Sequence, residues 1–134
     1  MFSKTKNLLI FFLSFFLILH FLGWQKFYAN CFFYDKIVHF FAGASVILAV
    51  IWLIEKHIFH IKTKNITLIA LFILLCIALI WEIFEYSVDQ RIGRVILEPL
   101  QSDRLDTLGD FSANFLGGGI ILLFQRKNKK QLLK

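Results

Sequence analysis

Three short stretches hold most of the residues equipped for chemistry. Asp35, His39 and Gly43 recur at i, i+4 and i+8, Glu82, Glu85 and Asp89 at i, i+3 and i+7, and Asp106, Asp110 and Asn114 at i, i+4 and i+8. Each spacing puts its members on one face of an α-helix. Carboxylates joined by one imidazole are hard ligands suited to Mg, Mn, Fe or Zn. Asp, Glu and His on facing helices are how a bundle builds a carboxylate metal site. On this reading the ligands are Asp35, His39, Glu82, Asp106 and Asp110. Glu85 is a general base or supports a ligand, and Asn114 orients one. Two other readings fit the same stripes. In one, Lys36, Arg91, Arg94 and Arg104 balance the acids as a structural ion-pair network. In the other, the acids line a proton or cation pathway.

The elements that position these stripes follow from composition. The chain has 134 residues, 58% hydrophobic and 18% charged, with a mean hydropathy of +0.70. Soluble domains are about 45–50% apolar and about 25% charged. A chain this short cannot hide such an excess and still present a polar surface. Disorder is excluded for the same reason. The expectation is an all-α, four-helix transmembrane bundle forming a single membrane domain. Its spans lie at about residues 7–24, 35–55, 65–87 and 106–125, with an outer loop at 88–105. The apolar runs do not alternate, and four strands could not close a barrel.

Lys and Arg set the orientation. Ten lie before the first span, between the second and third, or after the fourth; five lie on the opposite side. Both termini are therefore expected in the cytoplasm. Eight of the nine acids then lie on the outer side, and only Glu55 lies inside. The apolar runs are short, so Glu82, His39 and Asp110 are expected below the headgroups, facing the bundle interior. The basic tail from Arg126 to Lys134 reads as a topology anchor beside anionic lipid, so no nucleic-acid partner is expected. Trp24, Phe27, Tyr28, Phe32, Phe33 and Tyr34 suggest an outer aromatic belt.

Packing is also written in the chain. Gly109, Ala113 and Gly117 repeat every four residues on nearly the same side as Asp106, Asp110 and Asn114. Small residues let backbones approach, so the acids of the last span should face other helices. The segment Asp35–Ala42 aligns with Asp106–Ala113 through Asp, Phe and Ala, with His39 against Asp110, as a duplicated hairpin would. His20 reads as an interface or inter-helix residue, and His57 and His60 as loop histidines. Ser45 and Ser112 lack the context of a catalytic serine. Neither a phosphate-cradling Gly-rich loop nor a haem-attachment motif is present, so no organic cofactor is expected. Cys31 and Cys76 sit at different depths and should not pair.

Tyr34-Asp35-Lys36-Ile37-Val38-His39-Phe40-Phe41-Ala42-Gly43 resembles the D-K-x-x-H-F-x-x-G signature of the VanZ-like and YjdF-like small membrane proteins. Trp81-Glu82-Ile83-Phe84-Glu85-Tyr86 resembles the W-E-x-x-E-[WY] element of the YjdF-like branch. Asp106-Thr107-Leu108-Gly109-Asp110, followed by Asn114 and Gly117, resembles its final element. The likeness runs from Tyr34 to about Gly119 and leaves out the first span. It implies a multi-pass plasma-membrane protein sharing Asp35, His39, Glu82, Glu85, Asp106, Asp110 and Asn114. The link of the VanZ branch to teicoplanin resistance implies the cell envelope.

The functional expectation is a metal-dependent hydrolase or transferase acting on a lipid or lipid-linked phosphate. Arg91, Arg94 and Arg104 would meet the phosphate-bearing headgroup. The alternatives are a non-catalytic lipid- or partner-binding envelope protein held by ion pairs, and cation- or proton-coupled transport. Homo-oligomerisation stays open.

Overall fold

In the computed structural model the backbone is described for residues 2–23, 33–56, 66–88 and 104–132. Side chains are described for 4–23, 33–56, 66–88 and 105–125. Four helices result: α1 (Phe2–Leu22), α2 (Tyr34–Glu55), α3 (Ile66–Val88) and α4 (Arg104–Leu132). The described residues contain no strand. Each helix carries a stretch long and apolar enough to cross a membrane: Lys4–Leu22, Tyr34–Glu55, Ile66–Val88 and Leu105–Gln125. The first begins a turn earlier than its apolar run, because Ser3, Lys4, Thr5 and Lys6 continue the helix. The belt residues Trp24 to Phe32, the loop histidines, Cys31 and most of the 88–105 loop lie outside the described residues.

The outward faces are oily. Phe11, Phe21, Leu68, Phe72, Ile80, Leu116 and Leu123 are all well exposed. A water-facing domain of this size could not carry so much exposed apolar surface. In a bilayer the same side chains meet acyl chains at no cost.

The centre of the bundle is the α2–α4 pair. Contacts advance together along the two chains: Lys36 meets Asp106 and Asp110, His39 meets Asp110 and Asn114, Gly43 meets Asn114, and Ile47 meets Gly118. The helices therefore run parallel and in register. Glycine makes this possible. A Cβ added at Gly43 would land on the Asn114 carbonyl, and one added at Gly117 on the Phe40 carbonyl. Close approach of backbones is what small residues supply where lipid gives no hydrophobic drive for association. Gly118 faces Ile47 and Leu74, while Gly119 faces open space.

Below this crossing lies an apolar core of Ala44, Ile47, Leu48, Ala70, Leu74, Ile121 and Leu122. The helix α1 packs along α2 and hardly touches α3. It is fastened at both ends. The Tyr34 hydroxyl donates to the Leu19 carbonyl at 2.6 Å, filling an acceptor that the end of α1 leaves open. At the other end the buried Thr5 hydroxyl donates to Glu55 at 3.2 Å. The hydroxyls of Ser45 and Ser112 donate to the Phe41 and Leu108 carbonyls of their own helices. This local bonding satisfies a hydroxyl in an apolar layer without creating a nucleophile.

Candidate metal centre

Parallel, in-register packing brings the polar stripes of α2 and α4 together layer by layer, and the end of α3 adds Glu82 and Glu85. Among the described residues, the carboxyls of Asp35, Glu82, Glu85, Asp106 and Asp110 gather around the Lys36 ammonium and the His39 imidazole. His39, Glu82, Glu85, Asp110 and Asn114 are buried, Asp110 at only 2% exposure.

The cluster has two layers. In the outer one, Lys36 Nζ lies 2.5 Å from Asp106 Oδ1, 2.5 Å from Asp110 Oδ1 and 3.1 Å from Asp35 Oδ2. Its stem crosses the face of α4 where Gly109 has no side chain: a Cβ there would meet the Lys36 Cε at 2.8 Å. Asp106 is thereby committed to the ammonium. The three aspartates have the spacing of a cation site, and the protein's own cation fills it.

The inner layer shares Asp35 and Asp110 with the outer one, and the ammonium touches it through them. Donor atoms of His39, Glu82 and Asp110, one residue from each of three helices, lie within 4.8 Å of one another, and so do those of Asp35, His39 and Glu85. Metal–ligand bonds of about 2.1 Å put neighbouring donors of an octahedral or tetrahedral site about 3.0–3.4 Å apart. Either set would draw together to close on an ion. Asp35 and Asp110 face the same His39 Nε2 and share the Lys36 ammonium.

His39 is aimed by its neighbours. Its Nε2 lies 3.5 Å from Asp35 Oδ1 and 3.6 Å from Asp110 Oδ1, while Nδ1 lies 3.0 Å from the Asn114 amide. As placed, the Asn114 Nδ2–H donates to Nδ1, which leaves the ring proton on Nε2 toward the two aspartates; ligation through Nε2 would require the Asn114 amide turned so that its oxygen accepts from Nδ1–H. Thr107 lies beside Glu82, and Trp81 beside Glu85 one turn away on the same helix.

Beside the inner layer is a cavity of about 200 Å³. Its polar end is formed by Asp35, His39, Glu85 and Asn114. Its apolar walls include Phe16 from α1, Ala42 from α2 and Ala78 and Trp81 from α3. His20 stacks on Phe16, and its ring meets that of Trp81 edge-on at 5.4 Å. The first span thus enters the site, which its sequence did not reveal. The available signal was a lone histidine near the end of an otherwise oily helix.

Of the residues expected to act, Asp35, His39, Glu82, Glu85, Asp110 and Asn114 come together in the inner layer, and Asp106 joins Lys36 in the outer one. Arg91 and Arg94 lie outside the described residues. Arg104 opens α4, and its side chain is also outside them.

Residues 3–131 match the family model described as "Predicted membrane protein (DUF2238)". The chain belongs to this family. The match takes in all four helices, including the first, which the VanZ-like and YjdF-like elements leave out. No curated protein and no solved structure matches the chain. Membership gives a membrane protein, the four helices give its candidate spans, and the chemistry must be argued from the cluster.

Proposed function

We propose that this family member holds one divalent metal ion between His39, Glu82 and Asp110 and acts on the phosphate of a membrane lipid or lipid-linked substrate. The observation that carries this reading is the convergence of three buried donors from three helices, with one Asp110 oxygen shared with the Lys36 ammonium. Buried carboxyls without enough counter-charge are costly in a bilayer and mark functional sites. A divalent ion held there would supply charge for a phosphoryl oxygen and acidify a bound water. Glu85 borders the cavity and is the base that would take a proton from the attacking water. Asn114 fixes the His39 ring.

The VanZ-like and YjdF-like elements support placing the protein in the plasma membrane. The excess of Lys and Arg on one side supports cytoplasmic termini and a site in the outer leaflet. Elemental analysis of the purified protein tests the proposal. One equivalent of metal is expected in the wild type, with loss in both Glu82→Gln and Asp110→Asn. Metal-free protein that keeps its fold and stability would remove the enzymatic reading.

A second reading has its own observation. Lys36 among three aspartates is an ion-pair network of the kind that fixes helix packing. If the cluster is only structural, every acid-to-amide change lowers thermal stability, and added metal restores none of it.

A further inference from the structure

The cavity is open sideways. Ile77 lines it and is also 44% exposed on the outer surface of α3. On the facing side, α1 hardly touches α3, and the His20–Trp81 ring pair spans the gap at the polar end. Both helices cross the apolar layer, so what lies outside this gap is bilayer hydrocarbon. The polarity of the cavity runs in one direction. Glu85 and Asp35 stand at the end where α2 begins, and Phe16, Ala42 and Ala78 lie about a turn or more toward mid-membrane. A lipid seated in either leaflet has the same gradient, with its head at the membrane edge and its chain toward the centre. The size is also selective. Apolar cavities of about 150 Å³ take a benzene ring. A space of about 200 Å³ takes one chain segment and not a two-chain glycerolipid.

We infer that the slot between α1 and α3 is the acyl- or prenyl-chain site of a single-chain phosphate amphiphile that enters laterally from the bilayer, with its head at His39 and Glu85. The phosphate rests on the metal reading above; the chain site does not. The His20–Trp81 pair closes the slot at the head end, so the chain passes beneath it, past Ile77. Ala78 is buried in the wall and Ala42 stands opposite, so a large side chain at either fills the space a chain would occupy.

The full chain, reconstituted in phosphatidylcholine vesicles, is irradiated with a hexadecyl phosphate carrying a diazirine near its head. Labelled residues are mapped by mass spectrometry. Label is expected on Val38, Ala42 and Ala78, is displaced by unlabelled hexadecyl phosphate, and falls roughly tenfold in Ala78→Phe. Leu79→Phe, on the lipid-facing side of the same helix, keeps it. Metal content is measured on the same samples. Displaceable wall labelling in metal-free protein leaves the chain site standing and removes the metal reading. Bound metal with label confined to lipid-facing Phe21 and Phe72 overturns the chain site alone. Displacement by hexadecylamine but not by the phosphate overturns the head assignment. Cross-linking of two copies through Ile77→Cys that also blocks labelling assigns the slot to a second protomer and overturns the proposal. Should Ala78→Phe not fold, Ala42→Leu and the competition in wild type decide the same question.

Discussion

Replacing Lys36 with Met should be among the most damaging single changes outside the apolar core. The methionine keeps most of the stem and removes the ammonium, leaving Asp35, Asp106 and Asp110 to face one another. Their contacts with the ammonium are 3.1, 2.5 and 2.5 Å. Breaking a buried ion pair from one side costs about 3–5 kcal/mol, because the remaining charge is uncompensated. The Lys36 side chain is 18% exposed and that of Asp106 is 14%, so solvent screens part of this and about 3 kcal/mol is expected. For a domain between the small and medium size classes, that lowers Tm by roughly 10 °C. The assay is thermal unfolding of detergent-solubilised protein, read as the monodisperse fraction after heating. The double variant Lys36→Met/Asp106→Asn should lose less than the two single losses added, with a coupling of about 0.5–3 kcal/mol. Mn²⁺ should protect Lys36→Met more than wild type, because the outer aspartates are then free to take a cation. At about a hundred times its Kd the ion contributes about 2.7 kcal/mol. A Lys36→Met protein that melts like the variant of exposed Lys6→Met, with no gain from Mn²⁺, would refute the assignment of the outer layer.

Glycine substitutions should separate the helix crossing from the rest of α4. Gly43→Ala and Gly117→Ala put a methyl into an opposing backbone carbonyl and should prevent recovery of folded protein or lower Tm sharply, whereas Gly119→Ala meets nothing and should stabilise by about 0.5–1 kcal/mol through helix propensity. Asn114→Leu removes the partner of His39 Nδ1 and should weaken metal binding about 10–100-fold, while Asn114→Asp should retain it; titration with Mn²⁺ or Zn²⁺ measures both. Thr5→Val breaks the bond to Glu55 at the far end of the bundle and should cost about 1 kcal/mol in thermal melts without changing metal content.

Helical periodicity and apolar length are properties of a single segment, so they could be read before any tertiary contact was known. The four spans, the stripes at Asp35/His39, Glu82/Glu85 and Asp106/Asp110/Asn114, and the packing side of α4 all follow from residue spacing. Which stripe meets which, and at what height, is not local. It depends on the α2–α4 register, and that is set where Gly43 rests on the Asn114 backbone and Gly117 on that of Phe40. Once the register is fixed, Lys36 reaches Asp35, Asp106 and Asp110, and Asp110 is shared between that ammonium and the set it forms with His39 and Glu82. The role of α1 was equally hidden. Nothing in its oily sequence says that His20 and Phe16 turn toward Trp81 and border a cavity, because that depends on how one helix leans on another. The amino-acid order determined the membrane class and the chemistry carried on each helix face. The packing of backbone against backbone decided which charges neutralise each other and which are left to bind something else.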